Sequence, residues 1–412
     1  MLLTRRSFTV GSAAIVTTAL TRGPQAFAAP AHRLGARSAT NGQSVLDWQL
    51  ISFRTVYADQ TPATPVSVGV PTLAFASLAM YRAAERSGEV GASSATAAVA
   101  RAAHDVLAHY FPASRARLDA DLATTFAAIG AGHTRTKGSR IGADAARQLL
   151  ASREGDGWYD SSIHYTKTPG AGIWQPAAPN TDMLAAWLGS LRPVLASPPT
   201  PSGPYVLGST AWAADYEEVR ALGAVNSTDR SPEQTATALF YNSSNAGMAL
   251  GDAVVRYLAA NPRGTLETAH IFAAMHCAAA DTIICCWQQK RDVGYWRPFQ
   301  AISGQYDDGN PGTTAQPGWA PLVPMPNYSE YISGHGSLTA PQVEVVRRTL
   351  GEHTELEIRS TAGPPKSYSQ LSEVEFDAFH ARIWGGLHYR KAMTDAYELG
   401  HGSAARALSA LG

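Results

Sequence analysis

Residues 71–86 read PTLAFASLAMYRAAER. Apolar side chains recur there at three- and four-residue spacing behind a proline, which predicts a buried helix with Pro71 at its first position. The pattern returns at 95–110, at 114–129 after Pro112, and at 138–153, ahead of Gly155-Asp156-Gly157. A short helix is expected at 45–53. Later helical stretches fall at 212–222, 231–260, 265–289, 335–350, 370–384 and 388–411. Ser231-Pro232-Glu233-Gln234 is a strong start signal, with a capping hydroxyl, a proline in the first turn and an acid beside it. Alternating runs of Val, Ile and Thr are few, so strands should be scarce. Two stretches break the pattern. Residues 159–204 carry Pro169, Pro176, Pro179, Pro193 and the proline-rich segment 198–204. They read as a long irregular connection with one helix at 181–191, docked through aromatics such as Trp174. Residues 304–331 are dense in Gly, Pro, Asp and Asn. No repeat of fixed period is found. The expected fold is all-α, one domain over 45–412 of packed helices whose long loops gather near a site.

The chain has 412 residues, 45% hydrophobic and 16% charged, with 33 basic and 33 acidic side chains. That suits a sizeable core and argues against a nucleic-acid partner. Residues 1–28 read as a twin-arginine export signal: Arg5-Arg6, a moderately apolar run to Leu20, and Ala26-Phe27-Ala28. The run is too short to span a bilayer, which needs about 20 apolar residues. Cleavage near Ala28, secretion through the twin-arginine machinery and no stable membrane anchor are therefore expected. Residues 29–44 lack periodicity and read as a flexible arm. Cys277, Cys285 and Cys286 share one helical segment and fit neither disulfide geometry nor zinc spacing. They are read as core, and His104, His109, His270 and His276 as structural. Asp307-Asp308-Gly309-Asn310 lacks the remaining spacing of a calcium loop and reads as a polar turn. Gly-x-Ser-x-Gly and His-Glu-x-x-His are absent.

Three clusters in the last third carry chemistry. Lys290 and Arg297 lie seven apart, close to two helical turns, with Pro298 ending or fraying the helix at Arg297. One offers a point charge and the other a planar fork. Ser333-Gly334-His335 precedes a helix, so its backbone N–H groups suit an anion, and His335 is a neighbouring acid or base. Arg382 and His388 lie six apart, and Gly385-Gly386 can turn the chain so that they converge. Each cluster alone reads as solvated charge or ordinary capping. Together they read as a tetrahedral or trigonal-bipyramidal oxyanion pocket.

The order Lys-x6-Arg-Pro, Ser-Gly-His, Arg-x5-His resembles the vanadium-dependent haloperoxidases, in their secreted bacterial branch. That family shares fold and site with the type 2 phosphatidic acid phosphatase superfamily, and the likeness extends over most of the mature chain. It implies a large helical bundle, vanadate as cofactor, and hydrogen peroxide, halide and a small organic substrate as partners, with a homodimer left open. By the resemblance, His388 bonds vanadium directly, and Lys290, Arg297 and Arg382 neutralise equatorial oxygens. Ser333 and the Gly334 N–H donate to the same oxygens. His335 is the acid–base group where peroxide enters, and Lys290 polarises the peroxide. Trp287 and Tyr328 stand where chloroperoxidases place aromatics near the halide. Two positions depart from the pattern. Ile332 stands where proline is frequent, and Ala392 where the phosphatase pattern often has an aspartate that orients the final histidine.

The implied activity is peroxide-driven oxidation of halide to hypohalous acid or a halogenated product. The rival is a secreted acid phosphatase with His388 as nucleophile, forming a phosphohistidine, and His335 protonating the leaving group. A vanadate-independent relative in natural-product assembly and an exported oxyanion-binding protein are the further alternatives.

Overall fold

The computed structural model describes residues 42–87 and 91–412; the export signal and all but the end of the expected arm lie outside them. Among the described residues the chain is 61% helical, with 13 α-helices and one two-stranded sheet. The first group of helices is α1 (Gln43–Phe53), α2 (Val66–Ser87), α3 (Ala92–Tyr110), α4 (Arg115–Ala128) and α5 (His133–Arg153). The second is α6 (Thr210–Leu222), α7 (Pro232–Asn242), α8 (Ala246–Ala260), α9 (Thr265–Asp292), α10 (Pro298–Ile302), α11 (Gly334–Leu350), α12 (Leu371–Trp384) and α13 (Arg390–Leu411). The strands β1 (Leu356–Ser360) and β2 (Gly363–Tyr368) form an antiparallel hairpin between α11 and α12.

Two helices organise the core. α9 runs 28 residues, about 42 Å at 1.5 Å per residue. It packs against α2 on one side and against α11 and α13 on the other. Both α2 and α9 are long and apolar enough to cross a membrane by length and composition. Their apolar windows are 89% and 94% buried inside the protein, as central helices must be. The first group closes through α3 on α5, where glycines remove side chains from the contact. A Cβ on Gly142 would lie 2.3 Å from the Ala98 carbonyl oxygen, and one on Gly138 2.2 Å from that of Ser94.

Several boundaries differ from the sequence reading. Pro71 is inside α2, not at its start, because Val66-Ser67-Val68-Gly69-Val70 is already helical. Gln43 and Ser44, assigned to the flexible arm, belong to α1. The single helix expected over 231–260 is two. It breaks at Ser243, and Asn245 caps α8 by accepting from the Met248 N–H. The helix expected at 181–191 is only a 3₁₀ stretch, Ala186–Ser190. α13 starts at Arg390, so His388 is in the turn before it.

The long connection is nonetheless docked as expected. The Asp281 carboxylate on α9 accepts from the N–H groups of Val194, Leu195 and Ala196 at 2.5–3.1 Å. Trp287 Nε1 donates to the Leu184 carbonyl at 3.0 Å. The 307–310 segment is a polar turn that ties loops together: Asp308 accepts from Trp212 Nε1, and Asn310 donates to the carbonyls of Leu207 and Ser209. The three cysteines are free and buried in α9.

Replacing Gly142 with valine should lower stability by about 1–3 kcal/mol, the usual cost of overpacking. The loss would be seen as an earlier midpoint in urea at unchanged slope. An unchanged midpoint would contradict the close α3–α5 contact.

Candidate active site

Lys290 lies in the last turn of α9, Arg297 just before α10, Ser333 at the cap of α11, Arg382 in the last turn of α12 and His388 in the turn between α12 and α13. The turn depends on Gly386, whose φ is +76°; a Cβ there would stand 2.5 Å from the Gly223 carbonyl oxygen. The chain therefore folds back, and Arg382 and His388 meet as the spacing predicted. Leu387 and His388 both donate backbone N–H groups to the Arg382 carbonyl.

The site is buried. Relative exposure is 0% for Lys290, 1% for Arg297, 8% for Arg382 and 2% for His388. Arg297 donates through Nε to the Tyr328 carbonyl (3.0 Å), and through Nη1 to the Leu387 carbonyl (2.9 Å) and to His388 Nε2 (3.2 Å). Its Nη2 is buried without a partner, as are Arg382 Nε and His335 Nε2. Arg382 Nη1 reaches Asn242 of α7 only at 3.5 Å. The ring of Tyr241, also on α7, stands edge-on to His335 with centroids 6.0 Å apart.

Lys290 has partners that the sequence reading did not name. All three of its N–H groups are taken by backbone carbonyls, those of Ser329 (2.9 Å), Glu330 (2.9 Å) and Ile332 (2.6 Å). It is placed at the site, but it must exchange one of these bonds to hold an oxyanion oxygen. Ile332 supplies one of those carbonyls, which also accepts from Cys286 Sγ; a proline at 332 would leave that carbonyl in place.

Ser333 Oγ caps α11 by accepting from the Gly336 N–H at 3.2 Å, so its own hydroxyl hydrogen stays available. The Ser333 N–H is spent on the Ala392 carbonyl. The Gly334 and His335 N–H groups open the helix, where no intrahelical acceptor exists. Trp287 and Tyr328 lie together, centroids 5.0 Å apart. Both face the cations: Lys290 Nζ is 5.1 Å from the Tyr328 centroid and 5.9 Å from that of Trp287, and the Arg297 guanidinium is 5.0 Å from Tyr328. That gives the two aromatics a shared place beside the site.

Sequence reading missed Glu330. It is 1% exposed, and its Oε1 accepts from His388 Nδ1 and from the Tyr389 N–H, both at 3.0 Å. With Arg297 Nη1 facing Nε2, the neutral ring carries its proton on Nδ1 and leaves Nε2 as the electron-pair donor. The available signal was a lone acid three residues before Ser333, next to a predicted cluster of buried cations.

Charge in the site does not balance. Three buried cations face one carboxylate, and burial pushes Glu330 itself up to about 8. Burial first, then neighbouring Arg297, lowers Lys290 to about 7; burial and Arg297 lower Arg382 to about 10. Burial and the surrounding cations keep His335 and His388 well below the ordinary histidine value. Three orphaned polar atoms and an excess of positive charge fit a multiply charged oxyanion such as vanadate or phosphate. Among the described residues no cluster of three or more His, Cys, Asp or Glu side chains suits a metal ion by itself. His104, by contrast, is held by Asp105 and Asp119, and His276 is packed against Phe53 and Phe272, so both are structural.

Burial holds the Lys290 ammonium below and the Glu330 carboxyl above their ordinary values, and an anion in the pocket favours the protonated form of both. Oxyanion binding at mildly alkaline pH should therefore take up protons. Titration calorimetry with vanadate in buffers of different ionisation enthalpy would show this, and Lys290→Met would reduce it. Heats independent of buffer would contradict the assignment.

Comparison with known proteins bears on the fold that carries these residues. Residues 270–411, which hold all the site residues, match the family described as VCPO second helical-bundle domain. Vanadium chloroperoxidase of Curvularia inaequalis is 31% identical over a stretch covering 30% of this chain and 24% of that protein. The match thus spans about a quarter of that relative's length. A bacterial vanadium-dependent iodoperoxidase structure superposes with a TM-score of 0.69 at 16% identity, over 90% of this chain and 96% of its own. An apo-type bacterial vanadium-dependent chloroperoxidase gives 0.67 at 16% identity, over 84% and 94%. The second helical bundle of the chain thus matches a family model of the vanadium chloroperoxidases, and the chain shares the fold of bacterial vanadium-dependent haloperoxidase structures through most of its length.

Proposed function

We propose that this protein is a vanadate-dependent haloperoxidase that uses hydrogen peroxide to oxidise a halide. The observation that carries the reading is the set of three buried cations with unpartnered donors around the free electron pair of His388 Nε2. Vanadate bound there would act as a Lewis acid that activates peroxide without changing oxidation state. His388 would hold it through Nε2, with the proton kept on Nδ1 by Glu330. An anion there would take the place of the Arg297 Nη1 contact to Nε2, leaving Nη2 and one Nη1 hydrogen for its oxygens while Nη1 keeps the Leu387 carbonyl. Arg382 Nε and the Ser333 hydroxyl add donors. His335 is neutral because it is buried among cations, so its ring can take the proton that peroxide must lose. Lys290, released from one carbonyl, can place a positive charge on the bound oxidant. Trp287 and Tyr328 wall the side where the cations are closest to aromatic faces. A twin-arginine leader at 1–28 would make the enzyme a secreted one.

A phosphatase remains a second reading because of Glu330. It supplies a carboxylate to orient His388 as nucleophile, so the missing aspartate at 392 does not exclude that chemistry. The two are separated by loading the protein with vanadate and assaying peroxide- and halide-dependent bromination of a phenol dye, alongside phosphate-ester hydrolysis without vanadate. Bromination is expected. Ester hydrolysis inhibited by vanadate, with no halide oxidation, would overturn the proposal. His335→Ala should bind vanadate within a few-fold of wild type yet lose on the order of 100- to 10,000-fold in turnover. His388→Ala should lose both binding and turnover.

A further inference from the structure

We infer that Glu330 is the positioning residue of the oxyanion-binding histidine, and that it fills from the loop before α11 the place that an aspartate at position 392 would fill from α13. The inference rests on the oxyanion reading of the pocket. It does not require that the oxyanion be vanadate rather than phosphate.

Glu330 is fixed on every side. Its N–H donates to the Tyr295 carbonyl at 2.8 Å, and its own carbonyl accepts from Lys290 Nζ at 2.9 Å. One carboxylate oxygen accepts both His388 Nδ1 and the Tyr389 N–H, so the ring and the backbone next to it are held by the same atom. The carboxylate is thus a rigid acceptor that sets the plane of the imidazole as well as its tautomer. Arg297 Nη1 reads the opposite nitrogen at 3.2 Å.

Position 392 lies on the third residue of α13 and is 1% exposed as alanine. Its backbone carbonyl accepts the Ser333 N–H at 3.2 Å, which places it beside the cap of α11. Glu330 and Ala392 line the same small cavity, of about 10 Å³, together with Asp215, Tyr331 and Tyr389. The Tyr389 hydroxyl is buried without a partner. A space that size holds about one water. With Glu330 and Asp215 already on its wall, a third carboxylate there would meet like-charge repulsion. One carboxylate serves the histidine, from either side, and alanine at 392 is what the glutamate at 330 requires.

The test is a residue swap read on two observables. In metal-free protein labelled with ¹⁵N-histidine, the His388 Nδ1 proton should resonate far downfield and exchange slowly. Glu330→Ala should lose that proton and weaken vanadate binding about 10- to 100-fold, the usual effect of removing a partner behind a metal-binding histidine. Adding Ala392→Asp to that variant should restore the proton and bring the dissociation constant back to within a few-fold of wild type. Ala392→Asp alone should weaken binding, because a third carboxylate then joins Glu330 and Asp215 in one small cavity. Glu330→Gln keeps the side chain's size, which protects the fold. It should move the proton upfield and weaken vanadate several-fold. Wild-type affinity in Glu330→Ala or an unchanged proton in Glu330→Gln would overturn the inference. So would a folded double variant as weak as Glu330→Ala. The proton signal is read without any turnover, so an inactive but correctly ordered His388 would count against the haloperoxidase reading only.

Discussion

Two buried cations hold one stretch of chain by its carbonyls, and the site depends on that arrangement. Lys290 takes the carbonyls of Ser329, Glu330 and Ile332, while Arg297 takes those of Tyr328 and Leu387. Ser329 Oγ returns a bond to the Lys290 carbonyl at 2.6 Å. The segment 328–332 has no secondary structure of its own, yet it carries Glu330 and delivers Ser333 to the start of α11. Taking such charges out of water costs on the order of several kcal/mol per ion. Carbonyl dipoles offset part of that cost, and a bound anion would offset more. The depressed values of Lys290 and Arg382 record what is left uncompensated.

The rest of the fold supplies rigidity to that segment. α9 is buried along most of its length and carries Lys290 in its last turn. The proline-rich connection is fastened to it through Asp281 and Trp287. Close packing at Gly189, where a Cβ would lie 2.4 Å from the Gln288 nitrogen, sets the 186–190 turn directly on α9 next to Trp287. Arg230 bridges the carbonyls of Leu222, Ala224 and Trp384, so the end of α12 is fixed behind Arg382. Site residues from four helix ends therefore converge with little freedom, which is what differential binding of an oxyanion requires.

Much of this was legible in the sequence for physical reasons. The three- and four-residue apolar spacing located nearly every helix, because burial on one face dictates it. The Gly385-Gly386 pair announced the reversal that joins Arg382 to His388, and Gly386 adopts the left-handed conformation such a turn needs. What failed did so where tertiary context overrides local pattern. The break at Ser243–Asn245 falls in Asn242-Ser243-Ser244-Asn245, a run of capping residues that the apolar spacing on both sides outweighed. Residues 181–191 look helical, but their backbone is held by the neighbouring loop, with Leu184 donating to the Asn327 carbonyl. The β1–β2 hairpin is short: Leu356 and Ile358 alternate with outward Glu357 and Arg359 over only five residues of β1, and β2 is mostly exposed and carries Pro364 and Pro365. Glu330 was invisible because an acid near aromatics looks like a surface residue until both neighbouring cations are known to be buried. Lys290 was placed in the right location, but its carbonyl partners were not foreseen, since carbonyl acceptors leave no trace in side-chain identity.

The most direct test of the account is a crystal structure of the protein grown with orthovanadate. The account predicts anomalous density for vanadium within bonding distance of His388 Nε2, with Arg297 Nη2, Arg382 Nε and the Ser333 hydroxyl on its oxygens and the Arg297–His388 contact broken. Vanadium bound elsewhere, or His388 Nε2 still accepting from Arg297 beside a filled pocket, would contradict it.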